Sequence, residues 1–245
     1  MTLRWLNKFR SLYASADENN LLPEKDRFYP WSGAAHNVDR EFVARCRGKV
    51  LLDLGCGPPE AREAARAVGT SQYIGLDFLI GNRPDAVVSI DQLCLRNESV
   101  DGINCISVLE HVYHPREIIA EMFRVMRPGG CVRVQVPFLL GYHDFPEDYF
   151  RYTHSALRRM FEEAGFRMLL LETDWSKGTY LNAAITLQHG SWSFIQPRWR
   201  FVTRVLASIL LWLSAKIDKY HAPGHVGIYH AVIMLAEKPV NQGRG

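Results

Sequence analysis

Lys49-Val-Leu-Leu-Asp-Leu-Gly-Cys-Gly-Pro-Pro-Glu60 is the stretch on which the reading of this chain turns. A short apolar run, Val50 to Leu52, leads into Asp53, then into two glycines one residue apart, then into a helix-starting Pro-Pro-Glu. The pattern predicts a buried parallel strand that ends in a tight turn and opens a helix. Such a turn brings bare backbone and a helix N-terminus to the carboxyl edge of a sheet, where nucleotide-like ligands bind. Asp53 narrows the choice: a carboxylate there repels a pyrophosphate but suits a ligand carrying an ammonium and a sulfonium.

The segments that follow extend the pattern. Gln72-Tyr-Ile-Gly-Leu-Asp-Phe78 reads as a second strand, ending in Asp77, which is placed to accept hydrogen bonds from both hydroxyls of a ribose. Ala86 to Asp91 reads as a third strand, again ending in an acid. Val100 to Val108 reads as a fourth, followed by Leu109-Glu110-His111. Pro115 then opens a helix with Ile118, Ile119, Met122 and Met126 on its apolar face, and Arg127-Pro128-Gly129-Gly130 stops it. Cys131 to Val136 is a fifth strand. Strands alternating with helices over short connections predict a parallel sheet covered on both faces.

The Asp-Leu-Gly-Cys-Gly turn, Asp77, Asp91, Leu109-Glu110-His111 and Arg-Pro-Gly-Gly together resemble the class I S-adenosylmethionine-dependent methyltransferases, in particular the small-molecule group with Leu-Glu-His after strand four. The resemblance covers roughly residues 48–173. It implies an α/β, Rossmann-like, doubly wound fold: a mostly parallel seven-stranded sheet with an antiparallel last strand. It also implies S-adenosylmethionine as cofactor. Asp53, Gly55 and Gly57 would line its methionine end and Asp77 would hold the ribose. Asp91, with the backbone of Gln92 and Leu93, would face the adenine, and Ser107 and Leu109 would flank the sulfonium. Pro58-Pro59 departs from the family, which often has a third glycine here; Pro59 removes a backbone donor and stiffens the turn. On the plainer reading, Gly55 and Gly57 make a tight turn and Asp77 caps a loop. His111 reads as a helix-start residue or one that orients its neighbours, and Glu110 as a solvated acid of the first turn.

Composition sets bounds. The 245 residues suit one methyltransferase-like domain over 48–240, preceded by an N-terminal helical or lid segment over 1–47. A net charge of +3, with no basic tail, excludes nucleic acid as the expected partner. Five scattered cysteines without a Cys-x-x-Cys pair read as reduced thiols of a cytoplasmic protein. The first 15 residues lack the continuous apolar core of a secretory signal.

Two regions stand outside the family core. Residues 3–14 pattern as a basic amphipathic helix, suited either to an anionic membrane surface or to packing on the domain. The cluster Arg27-Phe-Tyr-Pro-Trp31 suits a lid. Phe166 to Glu172 and Val226 to Ala236 fit strands six and seven, an antiparallel hairpin in the family. Here residues 175–225 intervene, a Trp-rich helical insertion with a helix-like run over 201–220. Its apolar centre, Val205 to Ala215, is too short for a bilayer, which needs about 20 residues. Basic residues bracket it, so peripheral membrane contact stands beside a buried lid or dimer helix as its expected role.

Acceptor chemistry is expected in the loop after strand five, Pro137 to Thr153. It crowds Tyr142, His143, Asp144, Glu147, Asp148, Tyr149 and Arg151 at the carboxyl end of a central strand. His143, then Asp144, is the candidate general base. Tyr142, Glu147, Asp148, Tyr149 and Arg151 are candidate substrate contacts, with a structural Asp148–Arg151 knot as the alternative. The mixed donors do not define a metal site, and none is expected. Alignment and desolvation supply much of the catalysis of methyl transfer, and a base is needed only where the acceptor must lose a proton. The expected activity is O-methylation of a glycan, a lipid-linked intermediate or another hydroxylated small molecule. A prenylated quinone or phenol is the alternative acceptor, and a non-catalytic methyltransferase-like binding protein the alternative role. A nicotinamide oxidoreductase is disfavoured by Glu60 in place of the third glycine.

Overall fold

The computed structural model describes residues 37–57, 59, 69–88, 93–142, 147–173, 200–218, 229 and 231–240. The 3–14 helix, the 27–31 cluster, Asp91, Gln92, His143, Asp144 and residues 174–199 of the insertion lie outside them. The strands are β1 (Val50–Leu54), β2 (Gln72–Asp77), β3 (Ala86–Val87), β4 (Val100–Ile106), β5 (Met126–Pro137), β6 (Arg167–Thr173) and β7 (Ala231–Glu237). They form one seven-stranded sheet in the order β3-β2-β1-β4-β5-β7-β6. The first five are parallel, and β7 runs antiparallel between β5 and β6. This is the doubly wound arrangement expected, with the antiparallel pair at one edge. β3 is shorter than the expected 86–91, and β5 begins earlier, taking in Arg127 to Gly130.

Period-two alternation decides which side chains meet on each face. Leu52 and Leu54 of β1, Ile103 and Cys105 of β4, and Val132, Val134 and Val136 of β5 share one core. Helix α2 (Pro115–Val125) starts with Pro at its first turn and buries Ile118, Ile119, Met122 and Val125 in that core. Helix α3 (His154–Glu163) joins it through Leu157 and Phe161, and Thr153 caps its N-terminus by accepting from the Ala156 N–H at 3.2 Å. Each fully buried Leu, Ile or Phe contributes about 1.5–3 kcal/mol.

The opposite face is closed by helix α1 (Asn37–Cys46), which lies within the stretch read as an N-terminal segment. Its Val38, Phe42, Val43 and Cys46 pack on Leu51, Cys131, Ile233 and Leu235. This face also carries a polar seam. Asp53 Oδ2 accepts from the Tyr73 hydroxyl and Oδ1 from the Asn104 amide, both at 2.7 Å. Asn104 Oδ1 accepts from Arg133 Nη1 at 3.1 Å, and Arg133 Nε donates to Asp39 Oδ1 at 2.5 Å. Arg133 is fully buried and Asp39 nearly so. A charge in a strand covered on both faces requires such a partner. All five cysteines are free thiols, four of them buried and Cys94 exposed.

Candidate active site

The carboxyl ends of β1, β2, β4 and β5 bring most of the expected residues to one edge of the sheet. After β1 the chain turns through Gly55 and Gly57, both at positive φ (+67° and +62°). A Cβ on Gly55 would stand 2.4 Å from Val108 Cγ2, so the turn is closed down on the β4 loop and only glycine fits. Gly55→Ala should therefore lower the thermal midpoint and weaken cofactor binding together, read by differential scanning fluorimetry with and without S-adenosylmethionine. Relieving the clash with Val108→Ala should restore part of the midpoint, leaving the cost of the positive φ.

Asp77 is buried at the end of β2 and organises the neighbouring loops. Its Oδ2 accepts from the Gly57 N–H at 3.0 Å and from Asn82 Nδ2 at 3.1 Å, and its Oδ1 from the Leu79 N–H at 2.8 Å. Leu93 is buried, and its N–H donates to Glu121 while its carbonyl accepts from Arg124, both at 2.9 Å. Its backbone groups thus serve the α2 helix rather than the adenine that the family resemblance implies for them, and its side chain lies in the main core.

At the end of β4 the chain kinks. Ser107 is exposed and adopts φ +51°, its N–H held by the Gln135 carbonyl at 2.9 Å. Leu109-Glu110-His111 then forms a single 3₁₀ turn. Glu110, expected as a solvated acid, is fully buried. The reason is the loop after β5, which closes over it: the N–H groups of Tyr149 and Phe150 donate to the Glu110 carbonyl at 2.8 and 3.2 Å. The Glu110 carboxylate faces His111 Nε2 at 3.9 Å. His111 Nδ1 lies 2.5 Å from the Glu147 carbonyl, and because a carbonyl only accepts, Nδ1 carries the proton. The Tyr152 hydroxyl donates to the Leu109 carbonyl at 2.8 Å. Burial, and then the negative charge of Glu110, push that phenol up, so it remains a donor.

Four contacts thus bind the post-β5 loop to the Leu109–His111 turn. Arg151 fastens the loop to itself: it grips Asp148 bidentately at 2.5 and 2.7 Å and donates to the carbonyls of Leu140, Gly141 and Phe150. The knot that sequence left as the alternative is present, and both charges are engaged in it. Tyr142 and Tyr149 are exposed, and Tyr149 meets Tyr113 edge-on at 5.3 Å between ring centroids. Tyr113 was not singled out in the sequence. It follows directly on Leu109-Glu110-His111-Val112, and an aromatic so placed was the available signal. Among the described residues, no group of three or more His, Cys, Asp or Glu side chains has the arrangement of a metal site.

A family model described as Methyltransferase domain matches residues 24–171. The chain belongs to the class I S-adenosylmethionine-dependent methyltransferases. A Mycolicibacterium smegmatis protein named as an S-adenosylmethionine-dependent methyltransferase is 28% identical over 154 residues, 56% of this chain and 60% of that one. A ubiquinone biosynthesis O-methyltransferase of Pseudomonas fluorescens is 33% identical over 102 residues, 35% of this chain and 43% of the relative. The methyltransferase thus spans only 43% to 60% of the length of these two relatives. The crystal structure of the [4+2]-cyclase SpnF superposes with a TM-score of 0.58 at 18% identity, covering 96% of this chain and 93% of that one. That likeness extends the fold match beyond the family core.

Proposed function

We propose that this S-adenosylmethionine-dependent methyltransferase methylates a hydroxyl of a small molecule, with a glycan or a lipid-linked intermediate as the acceptor class. The observation that carries this reading is the post-β5 loop fastened to the Leu109–His111 turn. These bonds hold Glu147, Tyr149, Phe150 and Tyr152 beside the turn expected to flank the sulfonium. The exposed rings of Tyr142 and Tyr149, with Tyr113, offer flat apolar faces to a sugar or a phenol.

The binding residues suit the cofactor. The glycine at position 55 lets the β1 turn pack against Val108 of the β4 loop, which draws the two loops at this edge together. Asp77 uses three of the roughly four acceptor positions of a carboxylate, leaving one for a ribose hydroxyl. Asp53 lies at the end of β1 as a buried acid whose orientation Tyr73 and Asn104 hold. When bound, the cofactor supplies an electrophilic methyl group on a sulfonium. The chain's part is to exclude water, align the acceptor oxygen opposite the sulfur and accept its proton. His143 takes that proton, with Asp144 as the second candidate. His111 keeps the loop in place through its Nδ1 proton.

Incubation with methyl-labelled S-adenosylmethionine and a cell extract divided into lipid, glycan, small-molecule, protein and nucleic-acid fractions tests the reading. Label in the glycan or lipid fraction supports it, and label confined to protein or nucleic acid refutes it. On the acceptor so found, His143→Ala should lower turnover at least tenfold, since general bases typically contribute 10²- to 10⁴-fold. A smaller loss would remove His143 as the base. Transfer to a phenolic acceptor is the second reading, favoured by the named activity of the Pseudomonas relative.

A further inference from the structure

The helix in the insertion, α4 (Arg200–Asp218), wears its apolar residues outward. Val202, Val205, Leu206, Ile209, Leu210, Trp212, Leu213 and Ile217 are all exposed, Leu206 to 60% and Leu213 to 45%. At about 100° per residue they cover roughly 160° of the circumference. Ser214 is buried, and Ala207, Ser208 and Leu211 are half-buried. A helix serving as a buried lid would turn the larger set inward, so that expectation does not describe α4. Nor is any helix of the described residues long and apolar enough to cross a membrane.

We infer that α4 docks the protein on an anionic lipid surface, lying flat in the headgroup layer. The insertion, residues 175–225, carries six basic side chains, Lys177, Arg198, Arg200, Arg204, Lys216 and Lys219, against one acid, Asp218. Net positive charge of this kind opposes pairing with a second copy, which carries the same charge. It complements a surface of acidic headgroups. With 19 residues, α4 is about 28 Å long, enough to lay several apolar turns into that layer. Lys216 Nζ sits 5.9 Å from the centre of the Trp212 ring. That pairs an interfacial aromatic with a cation, as in residues that bury an apolar body and keep a charged tip in water.

Topology brings both ends of the insertion to the edge of the site. Thr173, the last residue of β6, pairs with Val232, and Ala231, the first of β7, pairs with Pro137 at the end of β5. The insertion therefore leaves and re-enters the sheet at the carboxyl edge, the edge that carries Gly55, Asp77 and Ser107. Docking there would present the site to acceptors resident in the lipid layer. That last step rests on the methyl-transfer reading; the docking itself does not.

Flotation of the full chain with phosphatidylcholine vesicles, with and without an equal share of phosphatidylglycerol, tests the inference. The protein should float with the anionic vesicles, stay behind with the neutral ones, and dissociate as salt rises. Leu206→Glu/Leu213→Glu should weaken vesicle binding at least tenfold while leaving S-adenosylmethionine affinity unchanged by calorimetry, which also shows that the variant is folded. Absence of wild-type binding to anionic vesicles at low salt overturns the inference. So does a double variant that binds as wild type does, or one whose substitutions convert a wild-type dimer to a monomer. Failure of the labelling experiment with vesicle binding intact would fault the methyl-transfer reading alone.

Discussion

Arg133→Met should destabilise the protein by about 3–5 kcal/mol, the cost of breaking a buried ion pair by removing one partner. Arg133 has no exposed surface, and its guanidinium spans Asp39 of α1 and Asn104 of β4. Methionine fills much of the volume but leaves Asp39 as a buried charge facing an apolar side chain. Asn104 loses the donor that fixes its amide, and with it the orientation of its bond to Asp53. Urea unfolding should show the loss as a lower midpoint at an unchanged slope. Combining Arg133→Met with Asp39→Leu should recover most of the stability, because a buried pair replaced by apolar residues of similar volume is often neutral. Cofactor affinity separates the two roles of the seam. The double variant should remain weaker than wild type for S-adenosylmethionine, since Asn104 still lacks the anchor that aims Asp53. Full recovery of both would make the seam purely structural.

The fold was legible because its signals are local and repeated. Val50 to Leu54, Gln72 to Asp77 and Val100 to Ile106 are short apolar runs bounded by turn residues, and Pro115 and Gly129 punctuate the helix between β4 and β5. The edge pair was legible only through the family likeness, since nothing in Arg167 to Thr173 states which strand it will meet. The glycine turn and Asp77 were likewise readable from spacing. Glu110 was misread because burial of a first-turn acid depends on a loop some forty residues later, and the Tyr149 and Phe150 donors that close over it carry no mark in the sequence near Glu110. The buried seam left a visible trace: Arg133 and Gln135 alternate with valines in a strand that family topology places at the sheet centre, and a charge there implies a hidden partner. That partner, Asp39, sits on a helix that a boundary at residue 48 separates from the domain, although α1 completes the core. The insertion shows the opposite case. Its apolar run was plain, but whether such a run faces inward or outward is decided by what packs against it.

The seam and the loop contacts give the site two supports of different kind. On the α1 face, Asp53 is held in a network of side chains drawn from four elements, so its orientation is set by the packed core. On the other side of the same edge, the acceptor loop is held chiefly through backbone groups of Glu110, Leu109 and Glu147. Backbone anchoring fixes the path of a loop while leaving its side chains free to vary. This suits a family in which the methyl donor is constant and the acceptor changes.

Asp77→Ala should raise the dissociation constant for S-adenosylmethionine by roughly 30- to 1,000-fold, measured by calorimetry. One part of the loss is a hydrogen bond from a ribose hydroxyl to a charged acceptor, about 1.5–3 kcal/mol. The rest is organisational: without the carboxylate, the Gly57 and Leu79 N–H groups lose their acceptor, and the β1 turn is no longer fastened to the loop after β2. Asn82→Ala separates these parts. Asn82 occupies one acceptor position on Asp77 Oδ2, at 3.1 Å, and a second ribose hydroxyl needs that position if both hydroxyls are to be held. Removing Asn82 should therefore leave affinity unchanged or improve it, while Asp77→Asn, which keeps the side-chain volume and loses the charge, should fall between wild type and Asp77→Ala. Equal affinity of wild type and Asp77→Ala would remove Asp77 from the cofactor site and leave it as a loop cap. A loss in Asn82→Ala as large as in Asp77→Ala would place the ribose contact on the loop after β2 in place of the carboxylate.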